Sequence, residues 1–400
     1  MKSNNSLKPA YIHGLGVLNA LGANSAEVAS ALLTNQRDGM VLDTQYLLAN
    51  QACYVGKVAA ELPVIEGLQH NCRNNRLAIA ALDQFRPAFD RAVERFGRDR
   101  IAVVTGTSTS GVDCAEGAFE AVQRSGSVGA GFHYSQAEIG GLSEFLKHHL
   151  NLAGPAYTIS TACSSSGRAL LSAQRLLSSG LVDAVIAGGV DSLCQLTLNG
   201  FNALDSLSAD LCRPMAKHRN GISIGEGAAL FLLTREPSDV AVVAVGDSSD
   251  AHHISAPCPD GSGAEEAMRK ALSLANIAPD QIDYINLHGT ATPLNDAMES
   301  AAVYRLFGAD VPCSSTKSMI GHTLGAAAAQ EVGLCYLALM ADEPFAPAHN
   351  DLAAGERDTD LAPIKLATGE KIEGRYVLSN SFAFGGNNVS VILAKQQRDD

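Results

Sequence analysis

The 400-residue sequence has no tryptophan, few other aromatic residues and no closely spaced pair of cysteines of the C-x-x-C type. Its nine cysteines are scattered, which argues against a disulfide framework and favours a reduced, cytoplasmic protein. The N-terminal residues lack the apolar core of a signal peptide. The longest apolar stretch, Leu324 to Met340, is interrupted by Gln330 and Glu331, so we expect a buried helix and no membrane span.

Basic residues are also scarce: 29 Lys and Arg stand against 42 Asp and Glu, which gives a formal net charge of −13. This balance argues against a nucleic-acid partner, because phosphate binding needs clustered cations. Apolar residues (46%) and 37 glycines are abundant, as is typical of a compact α/β protein with many tight turns. The chain is too long for one simple core, so we expect two domains or one duplicated domain.

Strand and helix patterns alternate along the chain, which predicts βαβ units with parallel strands. A faint internal repeat predicts duplication, with halves of 1–237 and 238–400. The features that recur in the same order are a buried strand with a glycine turn (182–189 and 282–289), a glycine-rich hairpin (221–233 and 382–393), and a turn into a helix (at Cys163 and at Ser314–Lys317).

Cys163 follows a short β-prone run and a cluster of small residues, and a helical pattern then continues to Gly180. A side chain at such a strand-to-helix turn lies at the positive end of the helix dipole, where free backbone N–H groups favour a thiolate over a thiol. The sequence therefore predicts a nucleophile. Taken alone, the residue also fits an inert core cysteine, so that alternative stays open here.

Further polar residues fall at the predicted ends of strands. His288 opens a polar turn, and Lys317 precedes His322 at the start of an apolar helix. Glu331 lies within that helix, so we expect it at a solvent edge or paired with the Lys317 cation. In doubly wound α/β folds the functional site lies beyond the carboxyl ends of the strands, where these residues and the Ser379–Phe382 turn would meet.

Four signatures occur in a characteristic order: Thr161–Ser164; His288–Thr290 with Thr292 and Asn295-Asp296; Lys317-Ser318 with Gly321-His322; and Asn380–Phe382 with Phe384–Gly386. In these motifs the chain resembles the β-ketoacyl-acyl carrier protein synthases of the thiolase superfamily, in particular the elongating class near synthases I and II. The resemblance covers nearly the whole chain. It implies a thiolase-like fold whose two duplicated, βαβ-rich halves form a layered α-β-α-β-α core.

The resemblance also implies a mechanism without metal or cofactor. Cys163 would take an acyl group from a carrier-protein thioester, and the N–H groups of Cys163 and Phe384 would stabilise the oxyanion. A malonyl thioester would then lose carbon dioxide, and the Nε2–H groups of His288 and His322 would stabilise the resulting enolate. The enolate carbon would attack acyl-Cys163 and extend the chain by two carbons.

Supporting roles follow from the same resemblance. Lys317 with Glu331 would orient His322. Thr290 and Thr292 belong to the motif of the site. Phe384 would act as a gate that covers the nucleophile, because the two glycines after it can absorb a backbone rotation. The side chain of Phe201, in the segment 200–202, would lie next to Phe384.

Acyl carrier proteins are acidic, so an acidic enzyme needs a local basic patch to bind them. Arg73, Arg76 and Arg213 are the candidates, the last from its family position. Because the family builds its acyl pocket at a two-fold interface, we expect a dimer with the loop Gly106–Gly111 near that interface. The dimer would be a homodimer or a heterodimer with a synthase-like partner.

The chain departs from the family pattern around the gate. Ala383 stands where the family often has glycine, Asn387 stands where it often has threonine, and the loop Gly106–Gly111 is more polar than is typical. Substrate preference is therefore not carried over, and a specialised type II polyene or polyketide pathway stays open beside fatty-acid synthesis.

Three rival functions fit the sequence less well. A degradative thiolase would need a second reactive cysteine between 379 and 391, where there is none. An initiating synthase would carry asparagine in place of His322. A non-catalytic chain-length factor would lack the nucleophile, although this chain could be the active half of such a heterodimer.

Overall fold

The computed structural model describes residues 7–349, 356–372 and 375–396. The strands are Ala10–Leu18 (β1), Met40–Asp43 (β2), Cys53–Gly56 (β3), Ile101–Gly106 (β4), Ala156–Ile159 (β5), Ala184–Asp191 (β6), Ile224–Gly225 (β7), Gly227–Thr234 (β8), Val240–Ser249 (β9), Ile282–Asn286 (β10), Pro312–Ser314 (β11), Lys365–Leu366 (β12), Tyr376–Phe382 (β13) and Asn387–Lys395 (β14). The α-helices are Ser25–Leu33 (α1), Arg73–Asp83 (α2), Arg86–Phe96 (α3), Val112–Ser125 (α4), Gly141–His149 (α5), Ser165–Ser179 (α6), Gln195–Ala203 (α7), Ser262–Ala275 (α8), Pro293–Phe307 (α9), Lys317–Ile320 (α10) and Ala327–Met340 (α11).

Two sets of strands repeat one pairing pattern. In the first set β1 pairs antiparallel with β8, β8 pairs antiparallel with β6, and β4 lies parallel between β6 and β5. In the second set β9, β14, β13, β10 and β11 pair in the same order and the same senses. A short pairing of β1 with β9 joins the sets into one sheet of eleven strands. The repeat confirms the predicted duplication, and the division near residue 237 stays a prediction.

The strands correspond differently from the sequence prediction. The sequence pattern predicts that β6 of the first set corresponds to β10 of the second. In the structure β6 corresponds to β13, and β4 corresponds to β10. The predicted hairpin at 221–233 is wrong, because β7 pairs with β3 in a separate small sheet while β8 joins the large one. Buried strands of this kind all read as similar apolar runs, so the pattern alone does not reveal their neighbours. The predicted match between the two turns into helices holds, since they follow β5 and β11.

Helices cover both strand sets and fill the space between them. Along β4, Ala102 and Val104 pack in the same core as α6 and α11, while Ile101 and Val103 pack with α2, α3 and α5. Helices α8 and α9 cover the outer face of the second set. These layers form the expected α-β-α-β-α order. Gly167 permits close packing in the middle, because a Cβ there would lie 2.8 Å from Cγ1 of Val389.

The apolar stretch from Leu324 forms a 3-10 turn and then α11, whose Gln330 and Glu331 are buried. This agrees with the expected internal helix. Within the ranges described above, no helix combines the length and apolar character that a membrane crossing requires.

Candidate active site

Cys163 lies in the turn between β5 and α6. Ala162, directly before it, has a φ of 53°, a left-handed conformation that bends the chain sharply into the helix. The Ser165 hydroxyl stabilises this turn, since it accepts from the N–H of Thr161 at 2.8 Å and donates to the carbonyl of Ala162 at 2.6 Å. The predicted strand-to-helix position of the cysteine is present, and its side chain is buried.

His288 and His322 lie next to the cysteine. His322 Nε2 is 3.0 Å from Cys163 Sγ, and the two imidazole ring centres are 5.4 Å apart. One side-chain nitrogen of each histidine and the sulphur all lie within 4.8 Å of one another. His288 follows β10 and His322 follows α10, so segments far apart in the sequence meet at the carboxyl ends of the strands.

The hydrogen-bond network assigns both imidazoles as neutral Nε2–H tautomers. Burial, and then the cation of Lys317, lower the pKa of His288 and of His322 well below its usual value. His322 Nδ1 accepts the N–H of Leu324 at 3.2 Å, and Lys317 Nζ lies 3.5 Å from His288 Nδ1. A neutral imidazole carries one proton, so an accepting Nδ1 leaves that proton on Nε2. Each histidine is therefore a hydrogen-bond donor at Nε2.

Lys317 is the buried cation behind His288. Its ammonium donates to the carbonyl oxygen of His288 and to Glu331 Oε1, and both members of this ion pair are 1% exposed. The pairing with Glu331 predicted from the sequence is confirmed. Burial raises the pKa of Glu331 to about 7, although Lys317 opposes the shift. The expectation that Lys317 orients His322 is corrected, because the ammonium contacts His288 instead.

Glu299 belongs to the site and was missed by the sequence analysis. Its carboxylate, on α9, accepts the N–H groups of His288 and Gly289, each at 2.7 Å, and is fully buried. Burial raises its pKa to about 7. A sequence signal existed, since Glu299 comes three residues after Asp296 and four after Asn295, on one face of a helix that begins at Pro293.

Cys163 is not the thiolate that its position at the start of a helix predicted. Burial raises the pKa of Cys163 to about 11, and this outweighs the opposite effect of Lys317 and of the backbone N–H groups of Phe384 and Cys163 itself. In the closed site the sulphur is therefore protonated at neutral pH. The same two N–H groups are the ones expected to stabilise an oxyanion, and both act on the sulphur.

Phe384 lines a cavity of about 220 Å³ that also contains Cys163 and both histidines. It lies in the turn between β13 and β14, where Gly385 and Gly386 have φ values of 83° and 75°. Its ring contacts Phe201 with centroids 5.6 Å apart, as expected from the sequence. The motif residues Thr290 and Thr292 line the same cavity, with their hydroxyl oxygens 3.0 Å apart.

Cys163, His288 and His322 are also close enough to be considered as metal ligands. Metal binding needs a thiolate and unprotonated ring nitrogens, whereas here the thiol and both Nε2 atoms carry protons. The Lys317 ammonium beside His288 would in addition repel a second cation. In these protonation states the three side chains fit hydrogen-bond donation to an anion, and a metal ion would first have to displace their protons.

The structure corrects part of the predicted carrier patch. Arg73 forms a bidentate ion pair with the buried carboxylate of Glu226, and Arg76 donates to the carbonyl oxygens of Leu62 and Pro63. Both guanidinium groups therefore stabilise the fold. Glu226 neutralises Arg73, whereas Arg76 donates to uncharged carbonyl oxygens and keeps its charge, so its role in carrier binding stays a prediction. The helical pattern around them could not show this, since it does not reveal which face is covered.

A buried cysteine beside two imidazole donors, within a duplicated five-layered α/β fold, is the arrangement expected of a thiolase-like condensing enzyme. The chain matches the family models of the beta-ketoacyl synthase N-terminal domain over residues 76–238 and of the beta-ketoacyl synthase C-terminal domain over residues 240–350. The chain belongs to the beta-ketoacyl synthase family, whose members are acyl-transferring condensing enzymes.

Individual relatives agree with this membership. A 3-oxoacyl-[acyl-carrier-protein] synthase 2 from Coxiella burnetii is 31% identical over 96% of this chain and 98% of its own length. The enzyme of the same name from Rhizobium meliloti is 40% identical, with 61% of this chain matching 62% of that relative. A chain of the solved complex of the ketosynthase ApeO with its chain length factor ApeC, from Xenorhabdus doucetiae, is 48% identical, with a TM-score of 0.94 over 99% of this chain and 100% of that one.

Proposed function

We propose that the protein is a 3-oxoacyl-acyl carrier protein synthase, which condenses an acyl group held on Cys163 with a malonyl-acyl carrier protein and releases carbon dioxide. The observation that carries the proposal is the convergence of Cys163 with two imidazoles that are both donors at Nε2. Two donors near one nucleophile suit a reaction that forms an anion at a thioester oxygen in two successive steps.

In the first half-reaction the Cys163 sulphur attacks the carbonyl carbon of the acyl thioester. A new C–S bond forms, the bond to the carrier thiol breaks, and the proton lost by Cys163 ends on that departing thiol. The N–H groups of Cys163 and Phe384 stabilise the tetrahedral oxyanion, and the Nε2–H of His322 stabilises the sulphur as it becomes negative. Since burial raises the thiol pKa to about 11, entry of the substrate has to accompany deprotonation.

In the second half-reaction the malonyl thioester loses carbon dioxide, and the electron pair of the broken C–C bond forms an enolate. The Nε2–H groups of His288 and His322 donate to the enolate oxygen. The enolate carbon then attacks acyl-Cys163, which forms the new C–C bond, breaks the C–S bond and releases the sulphur as a thiolate; uptake of one proton from solvent restores the thiol. Lys317 and Glu299 act through His288: the first fixes its tautomer and the second holds its backbone.

A second candidate is the role of active subunit in a heterodimer with a chain length factor. The 48% identity to a chain of the ApeO–ApeC complex favours it. Either dimer would use the outer strand β5, because an edge strand presents unpaired backbone groups, and α4, which follows the loop Gly106–Gly111. Phe119 on α4 and Tyr134 beyond it are 72% and 71% exposed, which is consistent with a surface that a second subunit covers.

The carrier would approach near Arg213, whose side chain is 55% exposed and forms a surface ion pair with Glu356 at 3.1 Å. Such pairs are weak, so the guanidinium can exchange its partner for an acidic carrier. A reducing cytoplasm is the proposed compartment, supported by the nine free cysteines among the described residues.

The function is tested by incubating the protein with a panel of acyl-carrier proteins and measuring intact and peptide masses. Acylation should add one acyl mass at Cys163, and added malonyl-carrier protein should release a product longer by two carbons. Cys163→Ala is the control and should remain unmodified. A folded wild-type protein that gains no acyl mass, alone or with a chain length factor, would refute the proposal.

A further inference from the structure

The turn that carries Phe384 is closed at both ends by the backbone. The N–H of Ala383 donates to the carbonyl of Asn387 at 2.9 Å, and the N–H of Gly386 donates to the carbonyl of Ala383 at 3.0 Å. Asn387 is the first residue of β14, so the turn spans only the residues between it and the end of β13. A backbone rotation at Gly385 and Gly386 that swings the Phe384 ring therefore has Ala383 and Asn387 as the pivot at its two ends.

The side chain of Asn387 connects this pivot to the helix that begins beside the nucleophile. Asn387 Oδ1 accepts a hydrogen bond from Arg168 Nη2 at 3.3 Å. Arg168 lies in α6, and its backbone N–H donates to the carbonyl of Ser164. Its guanidinium also donates to Asp247 Oδ2 at 3.1 Å and to the carbonyl of Ser248 at 3.4 Å, both on β9.

Arg168 is a fixed anchor in this arrangement. Its side chain is 24% exposed and its ion-pair partner Asp247 also binds Lys270, so two cations and one carboxylate hold each other in place. Close packing of Gly167 against Val389 fixes the helix beside it. The anchor is rigid, and Asn387 is the partner that belongs to the turn. The strength of the contact therefore depends on the residue at position 387.

The residue type at 387 decides whether the contact can form. Asparagine carries its oxygen one bond further from the backbone than threonine does, and the contact is already long at 3.3 Å. Threonine, which the family often has at this position, would place its hydroxyl oxygen too far from the guanidinium of Arg168 for a hydrogen bond. The contact is thus a consequence of the departure from the family pattern seen in the sequence.

We propose that Asn387 is a positioning residue that latches the Phe384 turn to Arg168 in the closed site, and so sets how readily the site opens before Cys163 is acylated. The latch rests on the gating role of Phe384 in the proposed function. With the latch formed, a malonyl thioester has little access to the unacylated enzyme. Opening of the turn for an acyl group has to break the Asn387–Arg168 hydrogen bond.

Two substitutions at this position should act in opposite directions. Asn387→Thr removes the acceptor and should speed iodoacetamide labelling of Cys163 in the free enzyme by about threefold to tenfold, as expected for loss of one weak, charge-assisted hydrogen bond. Asn387→Asp keeps the oxygen and adds a negative charge facing Arg168, so labelling should become slower. Cys114, which is half-buried on α4, serves as the reference thiol in each variant.

The enzymatic readout separates positioning from simple damage. Asn387→Thr should raise the rate of malonyl-thioester decarboxylation in the absence of an acyl donor and should lower the KM for the acyl donor, because entry no longer has to break the latch, whereas a damaged site would raise that KM. In an Arg168→Gln background, Asn387→Thr should have no further effect, because the latch is already absent. Thermal unfolding of each variant identifies any that are merely misfolded.

Unchanged labelling in a folded Asn387→Thr protein would overturn the proposal. Faster labelling in both Asn387 variants would also overturn it, because that result indicates a loosened turn without a latch. So would a full Asn387→Thr effect in the Arg168→Gln background. Labelling needs no condensation, so it tests the latch even if the acylation experiment were to refute the proposed function.

Discussion

Replacing Lys317 with methionine removes a buried positive charge while keeping most of the side-chain volume. Lys317 and Glu331 are each 1% exposed, and removing one partner of such a pair typically costs about 3–5 kcal/mol of unfolding free energy. Burial already raises the pKa of Glu331 to about 7, so the lone carboxyl can take up a proton. We therefore expect a loss near the lower end, about 3 kcal/mol at pH 7.

The pH dependence of this loss has a definite sign. Without Lys317 the pKa of Glu331 in the folded protein rises further above its unfolded value, because the cation had been lowering it. The folded state then binds more protons than the unfolded state, so the variant loses stability as pH rises above the unfolded pKa. Because the pKa of Glu331 is already about 7 in wild type, the deficit relative to wild type should be nearly constant from pH 5 to pH 7 and should grow towards pH 8 and above.

The same substitution should divide the two half-reactions. His288 loses the donor at Nδ1 and with it the fixed Nε2–H tautomer, so condensation should fall by about 10²–10³-fold. Acylation of Cys163 uses other donors and should fall much less. Urea unfolding at several pH values, acyl-enzyme mass and condensation rate provide the measurements.

Two comparisons make the test decisive. Lys317→Met with Glu331→Gln should regain most of the lost stability, because no buried charge remains unpaired, but it should not regain condensation. Lys365→Met breaks a surface pair with Glu370 and should cost less than about 1 kcal/mol. Wild-type condensation by Lys317→Met, or a double variant less stable than the single one, would refute the reasoning.

Three further predictions follow from burial and charge. Labelling of Cys163 should rise about tenfold per pH unit from pH 7 to 9, because its pKa is about 11; a plateau below pH 8.5 would contradict the effect of burial. Burial lowers the pKa of His349 to about 4, so the unfolded state binds more protons than the folded state below pH 6.5. Between pH 7 and pH 5 the unfolding free energy of wild type, measured with urea, should therefore fall by about 2 kcal/mol more than that of His349→Gln. Equal losses in the two proteins would exclude a buried neutral imidazole. Arg213→Glu should raise KM for carrier-bound substrates and leave KM for a small thioester unchanged, whereas an equal rise for both would indicate a folding defect.

Local patterns in the sequence predicted parallel βαβ units, the strand-to-helix position of Cys163 and the strand-end position of His288, whereas the layered order of the fold came from the family resemblance. The turn at Cys163 needs only small residues between a strand and a helix, and the buried acid Glu331 in an apolar helix needs a cation such as Lys317. The order of the strands was less accessible, since β4, β6, β10 and β13 are all short buried runs of similar composition.

Electrostatics depended on the tertiary structure. The helix position of Cys163 predicted a lowered pKa, but complete burial by distant segments reverses the sign. Arg73 looked like a free surface cation until Glu226, 153 residues away, was found beside it. Desolvation and ion pairing depend on every neighbouring atom, and a local pattern cannot supply those neighbours.

The amino-acid sequence by itself determined which chemical groups this protein has and at which ends of strands they lie. The tertiary structure decided their states: the neutral Nε2–H imidazoles of His288 and His322, the protonated thiol of Cys163, and the contact of Arg168 with Asn387 across 219 residues. The physical reason is that a side chain's identity is local, whereas its proton, its partner and its exposure are fixed by atoms that only folding brings together.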